Sequence, residues 1–334
     1  MIITRTPLRI TFTGGGSDMP SYFEENGGHC INATIDKYVY VLVKKRPDNK
    51  IYLKYSENEV VDVGEIDKIQ HDFIRETLIY LGVDYGLEII NWADIPTKGS
   101  GLGSSGSFLV GLLNAIHHLE GNDVSKIQLA DQASYIEMKL CNKPIGYQDQ
   151  YAASFGGLNE IIFHPMKRIH HEIDVLPIEK NFNNLSLISD NLLLFYTGKT
   201  RDSSTVLTEQ NKNLSNNKDS IASMKINVNL SVDLSESIKN KDYTKIGESL
   251  KANWEVKKKF SSNIVSEEIV EMYNKGIESG AIGGKIIGAG GGGFMMFYVE
   301  KSYQESVINS LSNYDFMRFN IDRYGSRVLL NTEN

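Results

Sequence analysis

Pro96-Thr97-Lys98-Gly99-Ser100-Gly101-Leu102-Gly103-Ser104-Ser105-Gly106-Ser107 sets the architecture expected of this chain. Glycine at alternate positions lets a backbone take positive φ or pass close to a ligand. The apolar residues that follow, Phe108, Leu109, Leu112, Leu113, Ile116 and Leu119, recur at helical spacing and predict a helix stopped by Gly121. A glycine-rich turn feeding a helix N-terminus offers a phosphate unpaired main-chain N–H groups and the positive end of the helix dipole. Two more glycine-rich loops lie far away. One is Pro7 to Asp18, with Gly14-Gly15-Gly16; the other is Lys285 to Phe294, with five glycines among the six residues from Gly288 to Gly293. A hairpin turn requires fewer, so that excess is read as a loop packed against a ligand or another loop. Together the three loops predict phosphoryl transfer.

Two other readings fail on context. Gly101-Leu102-Gly103-Ser104-Ser105-Gly106 matches the dinucleotide pattern G-x-G-x-x-G, which belongs in the first strand–helix turn of a parallel unit. Here five strand-like segments come first (Ile2–Arg5, Leu8–Phe12, Tyr38–Lys44, Ile51–Lys54, Leu87–Asn91), and a second helix, Ser125 to Leu140, follows the first. Gly198-Lys199-Thr200 looks like the end of a Walker A loop. Its first glycine would have to stand at Leu193, inside the strand Leu192–Tyr196. Beyond that strand, polar helices from Ser203 to Ser262, a helix Glu267–Ser279, two strands around the third loop, a helix Ser302–Ser312 and two final strands predict an α+β second domain. The expected boundaries are 1–175 and 185–334.

A length of 334 residues exceeds one typical core, which favours two domains. Hydrophobic content of 41% and charged content of 23% are those of an ordinary soluble globular protein. A net charge of −7 gives no general footprint for nucleic acid. A phosphate-bearing ligand must then be met by local cations or backbone donors. Cys30 and Cys141 form no metal-ligand pattern, and a reduced cytoplasmic setting is expected. No apolar run approaches the roughly 20 residues of a membrane span, and Met1 to Phe12 lack the layout of a signal peptide. The expected partner is a small molecule, with neither nucleic acid nor membrane; the oligomeric state stays open.

In this order the three motifs resemble the GHMP kinase superfamily (galactokinase, homoserine kinase, mevalonate kinase, phosphomevalonate kinase). Within it the chain looks closest to the D-glycero-D-manno-heptose 7-phosphate kinases. That likeness is carried by Pro7 to Asp18, Asp36-Lys37-Tyr38-Val39-Tyr40, Gly146 to Leu158, Thr197 to Arg201, and Trp254 with Lys257, Lys258 and Lys259. The resemblance implies an α+β, two-domain GHMP kinase fold, with a ribosomal-protein-S5-like N-terminal domain and a ferredoxin-like C-terminal domain. It implies ATP and Mg²⁺ as cofactors and phosphorylation of the anomeric hydroxyl of heptose 7-phosphate to the 1,7-bisphosphate, feeding nucleotide-activated heptose for surface polysaccharide. A free-sugar 1-kinase of fucokinase or galactokinase type is the alternative, and a non-catalytic sugar sensor a further one.

The resemblance also implies roles. ATP falls to Gly99, Ser100, Gly101, Leu102, Gly103, Ser104, Ser105, Gly106 and Ser107, with Gly106 where the family usually has Ala. Ser104 or Ser105 is also read as the helix cap. Mg²⁺ falls to Ser105 and Glu137. Asp149 is the expected base, or a charge that only orients the hydroxyl, and Arg9 is the catalytic cation. Asp18 is expected to bind ring hydroxyls, and is also read as the cap of a helix starting near Pro20. Gly15 and Gly16 stand where galactokinases carry Glu-His, so a wider sugar pocket is expected there. Gly290 and Gly291 are expected to touch substrate. Lys199, Arg201 and the run Lys257 to Lys259 are candidate seats for the distal phosphate.

Overall fold

The last eight residues of β1 (Ile2–Thr13) are all buried. A strand with both faces covered belongs inside a sheet, and the computed structural model places it there, between β2 (Gly28–Lys45) and β12 (Arg327–Asn331), both antiparallel to it. The structure describes residues 1–96, 99–165, 173–199, 203–260 and 266–333. The two short strands expected before Phe12 are one strand whose register against β2 slips between Pro7 and Leu8. Proline has no N–H for the ladder, so the irregularity falls beside it.

A short helix, α1 (Pro20–Asn26), joins β1 to β2. Then come β3 (Lys50–Lys54), β4 (Asn58–Asp62), α2 (Asp72–Leu81) and β5 (Leu87–Ala93). The glycine loop leads from β5 into α3 (Ser104–Leu119), followed by α4 (Lys126–Tyr135), α5 (Gln148–Phe155), β6 (Leu158–Phe163) and β7 (Ile173–Glu179). The first sheet runs β12-β1-β2-β5-β3-β4, with β6 joined to β2 and β7 to β6. Two of its strands reach beyond residues 1–175: β7 ends at Glu179, and β12 returns from the far end of the chain.

The remaining elements are α6 (Phe182–Asp190), β8 (Leu192–Tyr196), α7 (Ser203–Asn216), α8 (Lys218–Lys239), α9 (Lys245–Lys257), α10 (Glu267–Glu278), β9 (Gly283–Ile286), β10 (Phe294–Tyr298), α11 (Gln304–Ser310) and β11 (Asp315–Met317). A second, antiparallel sheet orders them β11-β8-β10-β9. The α3 side chains predicted for one face are all buried, and so is most of the rest of that helix. It lies against β1 and β2 on one side and α4 and α5 on the other. The helix expected over Ser125–Leu140 is capped by Ser125 with a full capping box and ends in a π-helical turn, Ile136–Leu140. Among the described residues no helix is long and apolar enough to cross a membrane.

Candidate active site

Alternation along β1 puts Arg9 and Thr11 on one face, and both line a cleft between the two halves of the molecule. The cleft encloses about 1160 Å³, solvent at its mouth included. Arg9 is buried, and its main-chain N–H donates to the Leu102 carbonyl at 2.9 Å. Its guanidinium grips Asp149 twice, Nε to Oδ1 at 2.7 Å and Nη2 to Oδ2 at 2.8 Å, while Nη1 donates to the Gly101 carbonyl at 2.6 Å. One side chain thus joins the first strand, the second glycine loop and the first turn of α5. A bidentate, charge-assisted pair fixes direction as well as distance.

Asp18 lies deeper, 2% exposed. It accepts from Gly16 N–H at 2.9 Å, from Gln148 N–H at 3.2 Å and from the Gln148 carboxamide at 3.1 Å. The same carboxamide accepts from Thr11 Oγ1 at 2.9 Å. Burial, with the charge of Asp149 second, raises the Asp18 pKa. Asp18 is not a helix cap: α1 is capped at Met19 without a side-chain bond.

Glu137 is held in the π-helical turn after α4, a distortion that recurs at functional sites. It is 2% exposed and accepts from the Gln150 carboxamide at 2.7 Å and from the Ser105 hydroxyl. Burial first, and Asp149 more weakly, push its pKa up to about 7. A buried carboxylate beside a hydroxyl, destabilised as an anion, suits a hard cation such as Mg²⁺, which needs only one or two protein oxygens. The residues present fit that ion.

The second glycine loop carries positive φ at Gly99, Gly101 and Gly103. Gly103 caps α3 and no side chain does, so neither Ser104 nor Ser105 is the cap. Gly99, Gly101, Gly103, Ser104 and Ser105 line the cleft. Leu102 and Ser107 turn into the interior, Ser107 donating to the Pro7 carbonyl at 2.8 Å, and Ser100 is buried. Gly106 faces α5 instead: a Cβ there would lie 3.1 Å from Asp149 Cβ.

The third loop joins β9 to β10 and packs against the second loop. A Cβ on Gly288 would fall 2.5 Å from Gly101 Cα, and one on Gly293 would fall 2.4 Å from the Ser100 carbonyl oxygen. Backbone meets backbone at those two positions with no room for a side chain, which accounts for Gly288 and Gly293. Gly290 lines the cleft; Gly291 does not.

Three further expectations change. Gly15 and Gly16 line the cleft, but the space beside Gly16 is not open. A Cβ on it would meet the Gln210 amide nitrogen at 2.3 Å and Met224 Cε at 2.9 Å, because α7 and α8 close over the first loop. Lys199 stands outside the cleft, where its ammonium pairs with Glu268. Since β8 pairs with β10, the residues after Tyr196 meet the end of the third loop, and the Lys199 carbonyl accepts from Gly293 N–H at 2.9 Å. Of the run Lys257 to Lys259, only Lys257 lines the cleft; Lys258 pairs with Glu255 at 2.7 Å and Lys259 is exposed. Arg201 lies outside the described residues.

The cleft also holds residues that sequence reasoning passed over. Asn227 of α8 accepts from Gly14 N–H at 2.9 Å and donates to the Gly15 carbonyl at 3.1 Å, and Asn253 of α9 donates to Asn227. Lys285 of β9 is buried, with its ammonium 3.0 Å from the Phe12 carbonyl. A signal existed. Ile246, Leu250, Asn253, Trp254 and Lys257 share one face of α9, and Met224, Asn227, Ser231, Leu234 and Ile238 one face of α8. Polar residues on an apolar stripe are candidates for a buried role, but in asparagine-rich helices they are easily lost.

Two domains meeting at a cleft lined by glycine loops, with a helix N-terminus on one side and a buried arginine paired with an aspartate on its floor, define a phosphoryl-transferase fold. The same fold is found over the whole chain in a D-glycero-D-manno-heptose 1-phosphate kinase from Bacteroides thetaiotaomicron (TM-score 0.81, 23% identity, 100% of both chains). The family model for the GHMP kinases N terminal domain matches residues 68–157, and that for the GHMP kinases C terminal region matches residues 234–315. The chain belongs to the GHMP kinases, which use ATP, generally with Mg²⁺. It is 29% identical over 320 residues, 93% of each chain, to D-glycero-alpha-D-manno-heptose 7-phosphate kinase of Campylobacter jejuni. It is also 24% identical to the galactokinase of Pyrococcus furiosus, over 92% of this chain and 91% of that one.

Proposed function

We propose that this protein is a sugar kinase that transfers the γ-phosphoryl group of ATP to the anomeric hydroxyl of D-glycero-D-manno-heptose 7-phosphate, giving the 1,7-bisphosphate and ADP. The observation that carries the chemistry is the Arg9–Asp149 pair, set between the first and second glycine loops at the mouth of α3. The choice of sugar is supported by the full-length likeness to the Campylobacter jejuni enzyme.

In this reading Asp149 accepts the proton of the acceptor hydroxyl, a contribution worth about 10²–10⁴-fold. An anomeric hydroxyl is more acidic than an ordinary alcohol, which eases that transfer. Arg9 aims Asp149 through its two bonds, and its remaining N–H donors face the charge that develops on phosphorus. Asp18, held by Gln148 and Gly16, accepts from a ring hydroxyl. The N-terminus of α3 and the loop from Gly99 to Ser105 take the nucleotide phosphates. Ser105 and Glu137 would hold Mg²⁺, which would screen those phosphates when bound.

Phosphorus NMR with Mg-ATP and a panel of heptose 7-phosphate, mannose 6-phosphate, fucose and galactose tests the proposal. An anomeric phosphate signal arising only with heptose 7-phosphate supports it. Turnover of galactose or fucose alone would replace the acceptor while keeping the chemistry, an outcome the galactokinase likeness makes worth testing.

A further inference from the structure

We propose that the ammonium groups of Lys257 and Lys285 are catalytic contacts of the nucleotide's terminal phosphates, sharing with Arg9 the negative charge of the γ-phosphoryl group as it moves. The inference rests on the phosphoryl-transfer reading and is independent of which sugar accepts.

Both lysines are at least nine-tenths buried and both line the cleft. Neither has a carboxylate within ion-pair distance among the described residues. Their partners are main-chain carbonyls: Ile286 at 3.0 Å and Gly288 for Lys257, Phe12 at 3.0 Å for Lys285. An ammonium has three donors, so Lys257 keeps one in hand and Lys285 two. The charged or titratable groups facing Lys257 are Arg9 of β1 and Lys285 of β9; those facing Lys285 are Lys257, Arg9 and the Cys30 thiol of β2. Arg9 is itself answered by Asp149, but the two ammoniums are not. Buried amines grouped in a cleft without a counter-charge form a seat that a polyanion can fill and protonate.

The position selects which anion. Lys257 neighbours Arg9, whose partner Asp149 marks the point of transfer, and it bonds to the third loop where that loop packs on the second. That is the nucleotide end of the cleft. In the reaction the acceptor oxygen bonds to the γ-phosphorus, the bond from that phosphorus to the β,γ-bridging oxygen breaks with its electron pair leaving on ADP, and the acceptor proton passes to Asp149. The lysines exchange no electrons; they hold charge. Burial first, then Arg9, lowers the Lys257 pKa to about 7, and burial first, then Lys257 and Arg9, lowers that of Lys285 well below its ordinary value. Without ligand a large part of Lys257 is therefore neutral at pH 8, and an arriving polyphosphate draws a proton onto it.

The test is calorimetric titration of the full chain with Mg-AMP-PNP at pH 8, without acceptor, in two buffers of different ionisation enthalpy. The wild type is expected to take up a large fraction of a proton, and K257M to take up markedly less. In turnover, K257M and K285M are expected to lose about 100-fold in kcat, with K257R recovering part of that loss and remaining free of proton uptake. Absence of proton uptake by the wild type overturns the proposal without any variant having to fold. A defect confined to KM for the acceptor overturns it too, by moving the lysines to the acceptor's phosphate. Silence of every acceptor sugar in turnover would count against the sugar assignment alone, since nucleotide binding is read separately.

Discussion

The two walls of the cleft treat buried charge differently. On the wall built from β1, α3 and α5, each charged group is answered. Arg9 has both oxygens of Asp149, Asp18 has three N–H donors, and Glu137 has Ser105 and Gln150. On the wall built from α9 and β9, Lys257 and Lys285 rest on carbonyls alone among the described residues. The first arrangement holds side chains in direction before a ligand comes; the second leaves two lysines to be met by the ligand. Pre-organisation and unmet charge are thus divided between the two halves of the chain, and the site is complete only where they meet.

The strongest way to break that contrast is to remove the answer to Arg9. Asp149→Asn is expected to cut kcat by about 10²–10⁴-fold while ATP still raises the melting temperature; unchanged turnover would remove Asp149 from the chemistry. Next comes Glu137, an answered group whose anion burial destabilises. The folded state keeps its proton up to about pH 7, against 4.5 for an unperturbed glutamate. The native state then binds more protons between those values, so stability is present below about 4.5 and lost as pH rises towards 7. That loss amounts to about 3 kcal/mol. Glu137→Gln should flatten the fall of melting temperature between pH 5 and 8, and Mg²⁺ should reduce it in the wild type. Equal slopes in variant and wild type would show the group is not destabilised.

The contact between the loops gives a smaller effect with an internal control. Gly288 and Gly121 both have positive φ, 69° and 75°, but a Cβ on Gly288 would collide with Gly101 while one on Gly121 meets nothing within 4 Å. Gly121→Ala should cost about 1 kcal/mol in urea unfolding, the left-handed penalty alone. Gly288→Ala should cost more and also raise KM for ATP. Gly106→Ala is expected to do least. The neighbouring Asp149 must yield a few tenths of an ångström, so kcat should fall by less than about tenfold, with nucleotide affinity unchanged. A large loss would show that the α3–α5 spacing at Gly106 is critical to the position of the base.

Much of the architecture was legible because it is local. The helical stripe of α3, the second helix after it and the strands around the third loop follow from periodicity and turn chemistry over a few residues. Local logic failed where a neighbour from far away decided the outcome. The opening of the pocket at Gly16 is cancelled by Gln210 and Met224, about 200 residues later in the chain. Lys199 follows a strand and sits near a glycine loop, yet pairing of β8 with β10 carries it out of the cleft. Capping of α3 went to Gly103, since the hydroxyl of Ser105 is drawn to Glu137 across the helix pair.

The sequence by itself determined the three glycine loops and the helix that opens at the second, and its resemblance to the GHMP kinases marked Arg9, Asp18, Ser105, Glu137 and Asp149 as candidates. Residue type and spacing state backbone freedom and ionisable groups directly. Only the tertiary structure decided that Arg9 and Asp149, 140 residues apart, form a bidentate pair, and that two lysines of the second half are buried without carboxylate partners among the described residues. Those facts depend on which surfaces meet. Burial turns the lysines from solvated charges into groups whose free energy is set by whatever enters the cleft.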